Sequence, residues 1–153
     1  MTHPAPSLRA TLRCHVATPS RVKLSVTADV QAQADALRLR YTLRGDTRLL
    51  RIPAPTAPVP TDGLWRHTCF EAFVAADDEP AYREFNFSPS SAWAAYRFAS
   101  ERQRDPNAEA REPVLLRPPL VTVTPQAITL TVRVPATALP RSPAVLSLGL
   151  CAV

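Results

Sequence analysis

Two short stretches place polar, chemically capable side chains inside apolar surroundings. In "LWRHTCFEAFV", residues 64–74, Trp65, His67 and Glu71 interrupt an otherwise strand-like run; in "YREFNFSPSSAWAAYRF", residues 82–98, Glu84, Asn86, Trp93 and Arg97 stand among aromatic residues. A carboxylate buried without a partner costs on the order of several kcal/mol, so Glu71 calls for either a structural partner or a ligand. The residue types suit a sugar: an indole offers a flat surface to the C–H faces of a pyranose, and carboxylates, an amide and a guanidinium meet its hydroxyls. The competing expectation is that Arg97 neutralises Glu71 or Glu84 in an internal network that fixes strand register.

The elements that would position these residues are strands. Alternate residues of a strand point to opposite faces, and this period of two recurs along the chain. Val22, Leu24, Val26, Ala28 and Val30 alternate with mostly polar residues, as do Leu37, Leu39, Tyr41 and Leu43. "RGDT" predicts a tight hairpin turn around Gly45, with "RLLRI" returning as a strand. "PAPTAPVP", residues 53–60, reads as an extended loop within one domain, because proline donates no backbone hydrogen bond. Strands are predicted at 66–75, 82–88 and 92–99, then a polar surface excursion over 100–113. "LVTVT", "AITLTVRV" and "VLSLGLCAV" supply three more, and "PATALP" is the one helical turn expected.

About nine or ten short strands imply an all-β, antiparallel β-sandwich over residues 1–153. Parity places Phe70, Ala72 and Val74 on one face of the first central strand and Trp65, His67, Cys69, Glu71 and Phe73 on the other. Phe85 and Phe87 separate in the same way from Tyr82, Glu84, Asn86 and Ser88. If the phenylalanines fill the core, the opposite faces gather Trp65, His67, Glu71, Glu84 and Asn86, with Trp93 and Arg97 joining from the third strand. Flat apolar surfaces mixed with hydrogen-bonding groups are the composition of a pocket for a polar small molecule.

Composition narrows the classes. The net charge is +5, with Arg supplying 17 of the 18 cations in a chain rich in Ala and Pro, a pattern that a GC-rich coding bias would produce. Arg38, Arg40 and Arg44 share a strand face, followed by Arg48 and Arg51, but no aromatic residue shares that face to give the stacking platforms that nucleic acid would require. A nucleic-acid partner is therefore not expected. Three scattered cysteines, Cys14, Cys69 and Cys151, form neither a disulfide framework nor a CxxC metal site. No apolar run approaches the roughly 18 residues of a membrane span, and no secretory signal is recognisable, so the cytoplasm is the expected compartment.

The two opening stretches, in this order, resemble the central signature of DOMON-like domains, in the branch related to family 9 carbohydrate-binding modules. That resemblance implies a jelly-roll or immunoglobulin-like sandwich that binds sugars in some members and haem in others. The family 9 binders place an indole six positions before a glutamate, as Trp65 and Glu71 are here, with a later arginine for which Arg97 is the candidate. They close the sugar between two aromatic rings. No Trp, Tyr or Phe follows Phe98 here, which leaves Trp93 as the second ring.

Three further readings stay open at this level. Haem would need axial ligands, for which His67 and a distant His15 are the candidates. Glu71 and Glu84 could form the carboxylate pair of a glycosidase, although no phosphate loop, zincin motif or serine elbow accompanies them. A non-catalytic binding domain that needs no cofactor is favoured over both. The apolar ending "LGLCAV" fits either a last strand buried to its end or a domain lacking its natural C-terminal part, and an edge strand offers a route to a homodimer.

Overall fold

A computed structural model describes residues 6–142 and 145–153. In chain order the strands are β1 (Ser7–Leu12), β2 (Ser25–Ala32), β3 (Ala36–Arg44), β4 (Phe70–Ala76), β5 (Tyr82–Phe87), β6 (Trp93–Ser100), β7 (Gln103–Arg104), β8 (Leu120–Thr124), β9 (Ala127–Pro135) and β10 (Leu146–Ala152). They form two antiparallel sheets of five, sheet A in the order β1-β2-β3-β9-β8 and sheet B in the order β10-β4-β5-β6-β7. The fold is the expected all-β sandwich.

Alternation explains why the sheets face each other as they do. Ala28, Leu39, Tyr41, Ile128, Leu130 and Val134 point inward from sheet A and meet Phe70, Ala72, Phe85 and Phe87 from sheet B, all essentially without solvent exposure. Full burial of such side chains contributes roughly 1.5–3 kcal/mol each. Tyr41 and Phe70 pack with ring centroids 5.1 Å apart. The Tyr41 hydroxyl donates to the Glu71 carbonyl at 2.7 Å, so a polar atom in the core is satisfied by a bond that ties one sheet to the other.

The opposite face of sheet A is open to solvent and carries a row of threonines across all five strands: Thr11 faces Thr27, Thr27 faces Thr42, Thr42 faces Thr129, and Thr129 faces Thr122. Arginines flank that row, with Arg9 bonded to Asp29 and Arg133 to Asp35.

Several elements depart from expectation. "RLLRI" does not return as a strand. Thr47 is buried, its hydroxyl donates to the Thr124 carbonyl at 2.6 Å, and its amide donates to Pro125, so the chain is pinned to the β8–β9 turn while β9 takes the edge of β3. Gly45 is required there: its φ is 144°, and a Cβ would come within 2.6 Å of both the Leu24 side chain and the Lys23 carbonyl. The strand β1 was not expected. The excursion after β6 contains a helix, α1 (Pro106–Arg111), whose Asp105 caps the Ala108 amide and whose Pro106 opens the first turn. "PATALP" forms a single 3-10 turn over Ala136–Ala138. No helix among the described residues is long and apolar enough to cross a membrane.

Candidate functional site

The outer face of sheet B is built in three cross-strand rows. Cys151, Glu71, Asn86 and Ala94 form the first, Gly149, Phe73, Glu84 and Tyr96 the second, and Ser147, Ala75, Tyr82 and Phe98 the third. Glu71 and Glu84 are thus diagonal neighbours on adjacent strands, within reach of each other's charge.

What covers this face is the chain between the proline-rich loop and β4. Thr56 donates its amide to Ser90 and Thr61 to Trp93, and Pro60 bridges to Trp93, which fastens the loop along the edge of the β5–β6 turn. At Gly63, with φ 74°, the chain turns across the sheet into a 3-10 turn over Leu64–Arg66 that packs on β5. The Tyr96 hydroxyl donates to Asp62 at 2.5 Å, and Arg104 lies 4.4 Å from the centre of the Tyr96 ring while pairing with both Asp62 and Glu109.

Beneath this cover Glu71 is only 7% exposed and Asn86 is wholly enclosed. Burial, and secondarily the charge of Glu84, push the Glu71 carboxyl up to about 7, with a Cys151 thiol hydrogen bond opposing. Glu84, half-buried, is also raised by burial, eased by the nearby Asn86 amide and by Arg104. Asn86 stands near enough to Glu84 to influence it, yet neither its nitrogen nor its oxygen reaches hydrogen-bonding geometry with any described residue. Burial pushes the Cys69 thiol up to about 12, which marks it as an inert packing thiol.

Aromatic rings stand in the adjoining region. Tyr82 and Phe98 stack with centroids 4.5 Å apart, and Phe73 lies 6.4 Å from Tyr82. An apolar groove of about 380 Å³ runs beside them, lined by Phe73, Ala75, Tyr82, Ser147, Leu148 and Gly149.

Of the residues singled out from sequence, Glu71, Glu84 and Asn86 come together on this face. Trp65 and His67 belong to the covering segment, not to β4: Trp65 sits in the 3-10 turn, 51% exposed with Arg66 over its ring, and His67 ends that turn, exposed. Strand parity does not apply to either, because β4 starts at Phe70. Trp93 and Arg97 are on the other side of the sheet. Trp93 faces Phe87 and joins the core at 4% exposure, and Arg97 faces Arg83 and pairs with Glu112 at 2.7 Å. The register of the β5–β6 pair sets Phe87 opposite Trp93 and hence on the same face. The same register would have nominated Tyr96, which the sequence reading left out of the site. His15, the other candidate haem ligand, lies in the β1–β2 connection of sheet A, where its Nδ1 accepts from the Ala17 amide.

Compared with known proteins, the chain matches no family model, no curated protein and no solved structure.

Proposed function

We propose that the outer face of sheet B is a non-catalytic binding site for a sugar-like, polyhydroxylated small molecule. The observation that carries this reading is a buried acidic and amide cluster without a cation of its own. Among the described residues Glu71 is met only by the weak Cys151 thiol, and the Asn86 amide has no hydrogen bond. The alternative of a self-contained salt-bridge network needs Arg97, and that guanidinium is bonded to Glu112 on the opposite face. Arg104, the cation that acts on Glu84, is already shared between Asp62 and Glu109.

In this reading the C–H face of the ligand lies in the groove against Phe73 and Tyr82, and its hydroxyls donate to Glu84, the half-exposed carboxylate beside them. Asn86 and a protonated Glu71 complete the set once the Leu64–Arg66 turn lifts, with Trp65 closing over the ligand from that turn. The test is a titration with a panel of mono- and disaccharides followed by backbone amide shifts. A saturable response in β4, β5 and β6 that Glu84→Gln abolishes is expected; silence across the panel removes the reading.

A further inference from the structure

A second polar cluster lies on the inner side of sheet B, where β5 and β6 run past the end of the apolar core. Arg83 and Arg97 face each other directly across these strands. Like charges in that relation repel, so the pair is destabilising unless something offsets it. Arg97 is 9% exposed and only partly offset: its Nη2 donates to the Glu112 carbonyl and pairs with the Glu112 carboxylate, while its Nε is enclosed and unbonded. The Arg83 side chain makes no hydrogen bond or ion pair with any described residue, and its Nε is likewise enclosed. Burial and the neighbouring Arg97 both weaken the hold of Arg83 on its proton, with Glu112 and Glu79 opposing.

Both guanidiniums line a cavity of about 220 Å³ at the end of the sandwich, which Thr137, Leu139 and Arg141 also line. A second cavity, of about 370 Å³, adjoins it and shares Arg97, Glu112, Thr137 and Arg141. Three arginines against Glu79 and Glu112 leave the lining positive. A guanidinium presents its donors as a planar fork that matches two oxygens of one anion, which is what Arg83 lacks.

We propose that this cavity binds a small soluble oxyanion, a carboxylate or phosphate group held between the forks of Arg83 and Arg97. The anion supplies the acceptors that Arg83 lacks and relieves the repulsion between the two arginines. Thr137, on the facing turn, offers a hydroxyl to the same ligand. This site is separate from the carboxylate face, which lies on the other side of the same strands, and neither proposal depends on the other.

The test is to follow the arginine Nε–Hε resonances while inorganic phosphate and, separately, succinate are added at constant ionic strength. We expect at least one of them to move the Arg83 and Arg97 signals saturably with millimolar or tighter affinity; which one does so assigns the anion as phosphate or carboxylate. Arg83→Gln should weaken that binding at least tenfold and Arg83→Lys, which keeps charge but loses the fork, severalfold. Arg133→Gln, on the outer face of sheet A, should leave it unchanged. The proposal is overturned if neither anion moves the two signals, if sodium chloride reproduces the response, or if the folded Arg83 variants bind as the parent does.

Discussion

Asp29 on sheet A and Glu71 on sheet B each occupy the outer face of a strand, and their surroundings drive them in opposite directions. Asp29 is bonded to Arg9, with Arg40 and Arg38 nearby, and those cations hold its carboxyl below the usual range. Glu71 is enclosed, has the Glu84 carboxylate within reach, and is pushed up to about 7. On the outer face of sheet A the polar groups are solvated, paired as threonines across strands or held in exposed ion pairs, and where Arg38 faces Arg133 both side chains reach water and Arg133 pairs with Asp35. On sheet B the chain has withdrawn a carboxylate from water with only a thiol to meet it, and an amide with no hydrogen bond among the described residues, and that imbalance is why the ligand reading is proposed there.

The comparison can be broken most forcefully through Trp93. With its ring in the shared core, Trp93→Ala should destabilise the fold by roughly 3–5 kcal/mol in denaturant unfolding. A loss below about 1 kcal/mol would mean the indole faces the carboxylates after all.

The next effect has the opposite sign. Glu71 has a folded pKa above its unfolded one, so between about 4.5 and about 7 the folded state holds the proton more tightly, and stability falls as pH rises through that window. Above it the penalty is fully present. Glu71→Gln should remove this decline and raise stability at pH 8 by about 1–3 kcal/mol, the full shift being discounted for solvent reaching the site. A closed salt-bridge network predicts destabilisation by the same substitution. Asp29 gives the mirror image: its contribution is present above its unfolded pKa and is lost as pH falls into the acidic range, and added salt should screen it.

Smaller effects are expected at the solvent surfaces. Thr42→Ala, at the centre of the threonine row, should cost roughly 0.2–1 kcal/mol, and chemical denaturation at one pH suffices to measure it. Trp65→Ala should change stability by less than about 0.5 kcal/mol while weakening any saccharide response, which separates a binding residue from a core one.

Much of the sandwich was legible because apolar alternation is strong wherever one face is buried, as in residues 37–43 and 127–134. It failed where tertiary contacts outweighed local pattern. "RLLRI" has strand-like composition, but the buried Thr47 anchors it to the β8–β9 turn. In β1, Leu8 is largely exposed, so its alternation carries little burial signal. The short helix after β7 did carry a signal, Asp105 before Pro106 with Glu109 in the first turn, which the surrounding polarity masked. At the site, parity separated Glu71, Glu84 and Asn86 from Phe70, Phe85 and Phe87. It could not place Trp65 and His67, which lie outside the strand, and the face of Trp93 and Arg97 depended on a register that composition alone does not specify.

The strand order of sheet A also bears on how quickly the chain can reach this state. β2 and β3, and then β4, β5 and β6, are hairpin neighbours that can pair as soon as they exist, but β3 meets β9 only after the whole β4–β7 meander has intervened. The same holds for β10, which must return to β4. Until those returns occur, one edge of β3 and one edge of β4 lack their partners, and Phe70, Phe85 and Phe87 lack part of their opposite wall. Closing such long loops is slow, so refolding on a scale of milliseconds to seconds, with the unpaired β3 and β4 edges as the sites most prone to association, follows from the topology itself.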